Sequence, residues 1–442
     1  MRARLKGALG RVIERACMPL LTLYRLATTA AAPLARPLLL LRAAQGKEDS
    51  DRLAERMGYP SAERPPGALV WLHGASVGES LSLLPLIERF ISRGVEVLAT
   101  SGTVGSARVL SARLPAGARH QYLPLDAPAF VARFLDHWRP DLALFAETEM
   151  WPNLVRAMHR SGAPLVLVNA RISAASAARW RKPPGVARRL FGMIDLCLAQ
   201  DTENAARLLE LGAPRARVAG NLKFDVSPPP IDGLKLATFQ SALGARPVFA
   251  AASTHPGEAP IVLDAHLEMA RALPQLVTII APRHPAQGAR IVELAAERGV
   301  KAALRSEHEA PPADAGIYVV DSLGEFGLVF RSAGVVFMGR SLAEEGGHNP
   351  IEAAKLGCAI LHGPHVADFA EVYGELNAAK GAARVLDARG LAQASVYLLS
   401  QPARLRKMGR AARDSVDKLG GASREIMTAI EPYLAQLAVE RR

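Results

Sequence analysis

Short apolar runs bounded by turn residues recur along the chain at positions 69–73, 95–100, 121–124, 142–146, 165–169 and 196–200. Several are followed by stretches with helical spacing of apolar residues, as at 81–93 and 205–211, so the pattern predicts a domain of repeating βα units. The passage Ser227-Pro-Pro-Pro-Ile231 interrupts it and reads as a linker. A second series of runs follows at 248–252, 277–281, 317–320, 335–338, 359–361 and 384–386. A last helical stretch, 424–437, either closes the second domain or crosses back to the first, and Pro432 is expected to kink or split it. The organisation expected is therefore an N-terminal segment 1–46, a Rossmann-like domain 47–226, a linker 227–246 and a second Rossmann-like domain 247–442 carrying the C-terminal helix. Open α/β sheets bind ligands beyond the C-terminal ends of their strands. Two such domains facing a cleft would suit a nucleotide-linked substrate.

The chain has 442 residues, too many for one hydrophobic core, and its 50% apolar content is enough for two. Its formal charge of +12 is unevenly spread: residues 1–42 hold eight Lys or Arg against Glu14 alone, or +7. Arg25 and Arg36 interrupt the apolar stretch there. It is thus neither an ordinary secretory signal nor a clean membrane span of ~20 residues. Residues 8–42 read as a membrane-associating segment whose cations lie at anionic headgroups on the cytoplasmic face. Nucleic acid is the competing partner for basic charge. Aromatics make up only 5% and no reader module is present, which argues against it. Cys17, Cys197 and Cys358 lie far apart without metal-ligand spacing, which fits a reducing compartment and no disulfide framework.

No Gly-x-Gly-x-x-Gly stands in the first βα turn and no Walker lysine follows a glycine loop, which argues against a dehydrogenase or a P-loop kinase. The first turn is instead Gly74-Ala-Ser-Val-Gly-Glu-Ser80. Ser76-x-x-Glu79 is a capping box, and it equally puts a carboxylate where an active site forms. Glu147 and Glu149 add carboxylates at another strand end, ahead of Trp151-Pro152. In the second half, Gly346-Gly-His-Asn-Pro-Ile-Glu352 reads as a capped helix start, with Asn349 as cap, Pro350 at the first helical position and Glu352 at the third. The same free amides suit a phosphate, and the carboxylate suits ribose hydroxyls. Arg283 follows Pro282 at a strand end, where a guanidinium is suited to phosphate. Ser322-x-x-Glu325, around Leu323 and Gly324, is a further capping box. The turn 100–105 is an ordinary strand-to-helix turn or a phosphate cradle. The run Arg171, Arg179, Arg181, Lys182, Arg188 and Arg189 is a solvated helix face or a set of cations near a bilayer. His284, His348, His362 and His365 match no zinc spacing, so no metal is expected.

In order along the chain, Gly74 to Ser80, Phe145 to Asn153, Gly220 to Asp225, Ser253 to Glu258, Ala281 to Pro285, Asp321 to Phe326 and Gly346 to Glu352 resemble the signature segments of bacterial Kdo transferases, the 3-deoxy-D-manno-octulosonate transferases of lipopolysaccharide assembly. The resemblance implies the two-domain GT-B glycosyltransferase architecture and metal-independent, inverting transfer of Kdo from CMP-Kdo to lipid IVA at the inner membrane, without a cofactor. It implies Glu79 as the catalytic base. It assigns Pro282, Arg283, Leu323, Gly324, Glu325, Asn349, Pro350, Ile351 and Glu352 to the nucleotide. The alternatives are another GT-B enzyme, such as a nucleotide-sugar epimerase or lipid A disaccharide synthase, and a two-lobed binding protein without chemistry. The number of sugars added depends on the shape of the acceptor pocket and has no visible motif.

Overall fold

The computed structural model describes residues 20–182, 185–343 and 346–439. Cys17 and the first part of the expected membrane segment, 8–19, lie outside the described residues. The chain divides into two compact units, Met1–Val226 with Gly420–Arg442, and Ser227–Leu419.

Among the described residues the first unit carries a seven-stranded sheet, parallel throughout. Its strands are β1 (Leu69–Gly74), β2 (Glu96–Ser101), β3 (Ala118–Tyr122), β4 (Leu142–Ala146), β5 (Leu165–Ala170), β6 (Leu196–Ala199) and β7 (Ala216–Val218), in the order β3-β2-β1-β4-β5-β6-β7. Strands covered on both faces must be apolar on both, which is why the central ones read as unbroken runs. One face packs Trp71, Phe145, Phe134, Trp138 and Met158, and the other packs Val70, Leu72, Phe90 and Val166. The buried tryptophans keep their N–H groups satisfied: Trp71 donates to Thr100 Oγ1 (2.8 Å) and Trp138 to Gln121 Oε1 (2.8 Å).

The second unit repeats the design with β8 (Val248–Thr254), β9 (Val277–Pro282), β10 (Ala302–Leu304), β11 (Ile317–Val319), β12 (Val335–Met338), β13 (Ala359–His362) and β14 (Ala382–Arg384). Their order is β10-β11-β9-β8-β12-β13-β14, again parallel. In each sheet the chain builds outward to one side from a central strand and then resumes on that strand's other side. The strand order therefore reverses between β1 and β4 in one unit and between β8 and β12 in the other. Ligands bind at such switch points.

Several expectations need correction. The closing helix Ala422–Val439 belongs to the first unit, because Ile426, Met427 and Ile430 are buried against β1 and β4 residues. It continues through Pro432 without a break. The span 227–246 is more than a linker: Asp232 caps a helix, Gly233–Leu243, whose Phe239 and Leu243 are buried. Residues 20–44 are helical and dock on the first unit, with Leu21 against Val186 and Leu190 and the Tyr24 hydroxyl donating to Asp126 (3.0 Å). The edge strand β3 starts three residues before the apolar run that signalled it. Its Arg119 and His120 are held by Glu96 and Ser101.

The returning helix is fixed by one carboxylate. Asp225, last residue of the Gly220–Asp225 motif, accepts from the amides of Gly421 (2.6 Å) and Ser423 at the helix start. Losing such a cap costs about 0.5–2 kcal/mol. All four tryptophans, at 71, 138, 151 and 180, lie in the first unit, so their fluorescence reports its unfolding alone. Asp225→Ala should lower that unit's stability to urea by about 1–2 kcal/mol. An unchanged midpoint would show that the cap does not hold the helix.

Candidate active site

The turn after β1 is shaped by a glycine. A Cβ on Gly74 would stand 2.8 Å from the Ser80 amide, so the strand can pass this close under the helix Val77–Ser92 only without a side chain. Ser76 caps that helix, its Oγ accepting from the Glu79 amide (3.3 Å) and its hydroxyl donating to Glu79 Oε1 (2.6 Å). Glu79 Oε2 accepts from the Ala75 amide (2.9 Å). The capping box is therefore real, and it also aims the carboxylate. The cap and the candidate carboxylate are one arrangement.

Glu147 and Glu149 follow β4, the neighbour of β1; the Glu147 charge acts on Glu79, and that of Glu79 acts on Glu149. Glu147 takes a left-handed backbone (φ 58°), costly for a residue with a Cβ, while its amide donates to Val168 O (2.9 Å). Its carboxylate pairs with Lys223 at 3.4 Å. Glu149 accepts from the Trp151 indole N–H (2.9 Å). Both acids thus adjoin Glu79, one neutralised by a lysine and the other oriented by a tryptophan.

Lys223 is the residue that sequence reasoning missed. Its short 3-10 turn, Leu222–Phe224, is anchored by the burial of Leu222 and Phe224 on either side of the lysine. Asn169 Oδ1 accepts from the Leu222 amide (2.9 Å), and Asn221 Oδ1 from the Lys223 amide (3.0 Å). The quoted segment Gly220–Asp225 contained the signal: a lysine between two apolar residues, closed by the cap Asp225. Its spatial partner lies 76 residues away.

Burial, the largest influence, raises the Glu79 pKa above the ordinary value, and the Glu147 charge adds to it. The Ser76 hydrogen bond, the Ala75 amide and Lys223 pull the other way without prevailing. The positive end of the helix, which favours the ionised form, does not outweigh burial. Glu149 is raised as well, by burial and then by Glu79. A carboxylate of raised pKa is a better proton acceptor once ionised.

The turn after β2 is an ordinary one: Gly102 donates to Ala75 O (3.2 Å) and Thr103 Oγ1 accepts from the Ser106 amide (3.2 Å).

In the second unit, Pro282 ends β9 and Arg283 follows it, exposed, its amide donating to Thr254 O (2.9 Å). At the β8/β12 switch point, His255 and His348 place their Nε2 atoms 3.1 Å apart. Burial holds the His348 pKa down to about 4, and His255, Arg283, Arg340 and His284 lower it further, so imidazoles and guanidinium groups converge on one place. Glu258, fully buried, is the clamp: it accepts from the amides of His255 (3.1 Å), Arg340 (2.7 Å), Ser341 (2.9 Å) and Leu342 (3.0 Å). The Ser253–Glu258 segment was recognised, but this role was not. A single acid seen in sequence does not reveal three amides from a distant loop.

Asn349 Oδ1 accepts from the Ile351 amide (3.0 Å), and the helix Ile351–Lys355 begins just after Pro350, one residue later than the spacing suggested. Ile351 is buried and Glu352 half-buried. The second capping box is not formed: Ser322 Oγ makes no hydrogen bond, and Glu325, which precedes the helix Phe326–Ser332, faces Arg305 at 3.3 Å. Leu323 is exposed and Gly324 has φ 83°. The loop after β11 adjoins the loop after β9, while the loops after β8 and β12 adjoin each other. All four lie along one edge of the sheet. Among the described residues no three His, Cys, Asp or Glu side chains gather as a metal-binding set.

A family model described as 3-deoxy-D-manno-octulosonic-acid transferase matches residues 51–226. A 3-deoxy-D-manno-octulosonic acid transferase of Haemophilus influenzae is 31% identical over 93% of this chain and 99% of its own. That of Bordetella pertussis is 34% identical over 93% and 99%. The chain belongs to this transferase family. It is a glycosyltransferase, and each of its units has the Rossmann-like fold of the GT-B class. A putative UDP-N-acetylglucosamine 2-epimerase from Listeria monocytogenes shares that fold, with a TM-score of 0.56 over 84% of this chain and 97% of its own, at 17% identity.

Because Glu79 sits between a like charge and a cation, its titration responds to each in a known direction. Activity should fall as pH drops through its raised pKa. Glu147→Gln removes the repelling charge and should move that acid limb to lower pH. Lys223→Met removes the cation and should move it to higher pH. Profiles of kcat/KM against pH for the three proteins check this, and a limb that stays put in both variants would mean that another group sets it.

Proposed function

We propose that this transferase moves Kdo from CMP-Kdo to lipid IVA by an inverting displacement, on the cytoplasmic side of the inner membrane. The observation that carries the reading is the Glu79 carboxylate, half-buried beside Glu147, Glu149 and Lys223 at the β1/β4 switch point. Glu79 takes the proton from an acceptor hydroxyl as its oxygen bonds to the anomeric carbon. The bond from that carbon to the phosphate oxygen breaks, and CMP leaves with the electron pair. Positive groups must meet that phosphate, and Arg283 supplies one, with the imidazoles at the β8/β12 switch point beside it as hydrogen-bonding groups. Asn349, Glu352 and Glu325 are the polar side chains for the ribose and base.

The membrane reading is supported by the charge of residues 1–42 and by the exposed Leu23, Leu26, Leu34, Leu38 and Leu41 of the docked N-terminal helices. Among the described residues no helix is long and apolar enough to cross a membrane.

Mass spectrometry of the product formed from CMP-Kdo and lipid IVA tests the reaction. Glu79→Gln should lower turnover by about two to four orders of magnitude while leaving CMP affinity intact. Near-wild-type turnover would remove Glu79 from the chemistry. Arg283→Ala should weaken CMP binding in calorimetry by about 1.5–3 kcal/mol. Unchanged affinity would leave Arg283 a surface charge.

A further inference from the structure

Four arginines of the first unit lie near one another without an ion pair among the described residues. Arg156 and Arg160 lie one turn apart on the helix Pro152–Ser161, Arg25 on the helix 20–31, and Arg189 on the helix Val186–Phe191. Arg25, Arg156 and Arg160 line a cavity of about 330 Å³, with Pro128, Val131, Leu135 and Asp136 on its walls. That is the lower end of the range for small-ligand sites, roughly 300–1,000 Å³. Burial and then Arg160, Arg25 and Arg189 hold the Arg156 pKa below its usual value, so the cluster repels itself. Among the described residues none of the four guanidinium groups has a hydrogen bond or ion pair, and Asp136 is the one acid on the cavity wall. Other arginines here have an acidic partner, as Arg181 does in Glu210 and Arg298 in Asp264. Four unpaired ones on three elements are costly to keep together unless an anion joins them.

The helix that carries Arg25 indicates where the anion comes from. It is clamped to the unit through Leu21, through Tyr24 with Asp126, and through Asn153, whose Nδ2 donates to Thr28 Oγ1 (3.0 Å). Leu20, Leu23 and Leu26, three residues apart, form a stripe on its outer side, the last two each 62% exposed. The following helix, Ala35–Ala44, buries Leu39 and repeats the stripe with Leu38 and Leu41. Helices that bury one apolar face in the protein and turn another outward suit an interfacial environment. Arg25 lies between the two faces of its helix, with the cavity on one side and the leucines on the other.

We infer that this cavity binds the phosphate headgroup of an anionic bilayer lipid, which seats the leucine stripe at the acyl boundary and fixes how the first unit meets the membrane. The inference rests on the membrane reading above and adds a discrete site to it. Arginine forks grip phosphate bidentately, whereas lysine offers only a point charge. That difference separates a site from diffuse attraction.

The test uses the full chain and sedimentation with phosphatidylcholine vesicles, with and without phosphatidylglycerol. Arg156→Gln with Arg160→Gln should reduce binding to the anionic vesicles by about fivefold per arginine removed. Arg156→Lys with Arg160→Lys keeps the charge and should still lose several-fold. Neither pair should lower the melting temperature of the first unit, because each relieves or preserves repulsion without removing a contact. Leu23→Ser with Leu26→Ser should weaken vesicle binding while leaving the thermal shift given by glycerol 3-phosphate intact. If the wild type ignores anionic vesicles, the membrane reading itself falls. If the wild type binds and the lysine pair binds equally well, the charge is diffuse and the site falls alone. If the serine pair binds vesicles as the wild type does while glycerol 3-phosphate stabilises the protein through these arginines, the ligand is a free phosphate and the lipid assignment is overturned.

Discussion

The mutual repulsion of Glu79, Glu147 and Glu149 is the constraint around which the first unit is organised. Three acids at adjoining strand ends cannot share one place unless something opposes their charge, and the fold supplies that opposition from several directions. Ser76 and the Ala75 amide hold one carboxylate, Trp151 orients the third, and Lys223 neutralises the second. The lysine depends on a turn fixed by Asn169 and Asn221, and the following Asp225 fixes the helix that closes the unit. A change in charge at the site is thereby linked to the packing of the C-terminal helix beneath it.

The second unit uses the same topology with imidazoles and arginines in place of acids. Its switch point gathers His255, His348, Arg283 and Arg340 where the first gathers carboxylates, and a buried acid, Glu258, supports the loop from below. Both sites carry backbone strain in left-handed residues that are not glycine, Glu147 in one and Ser253 and Arg340 in the other. Such conformations persist only where surrounding bonds over-determine them, and here they fall at the strand ends that bear the chemistry. An acceptor activated by a base and a donor held by cations is the division of labour expected of a transferase.

The sheets were legible in the sequence because strands buried on both faces cannot hide their apolar runs, and both switch points follow from the strand order. Edge strands β7 and β10 were not legible, being three residues long. Residues placed at turns by local chemistry, such as Glu79 and Asn349, were found because cap and site use the same amides. Lys223 and Glu258 were not singled out, since their meaning lies in partners far along the chain. The N-terminal segment was read from its charge and its interrupted apolar stretch. That reading missed that its helices dock on the first unit through Leu21, Tyr24 and Thr28.

The central claim is that Glu79 is a carboxylate whose proton affinity has been raised by its surroundings. The direct measurement is an NMR titration of side-chain carboxyl carbons in protein labelled at glutamate, with the Glu79 resonance assigned from Glu79→Gln. The account predicts a midpoint above the unperturbed glutamate value of 4.5. A midpoint at or below that value would contradict it, leaving Glu79 a helix cap and placing the base elsewhere.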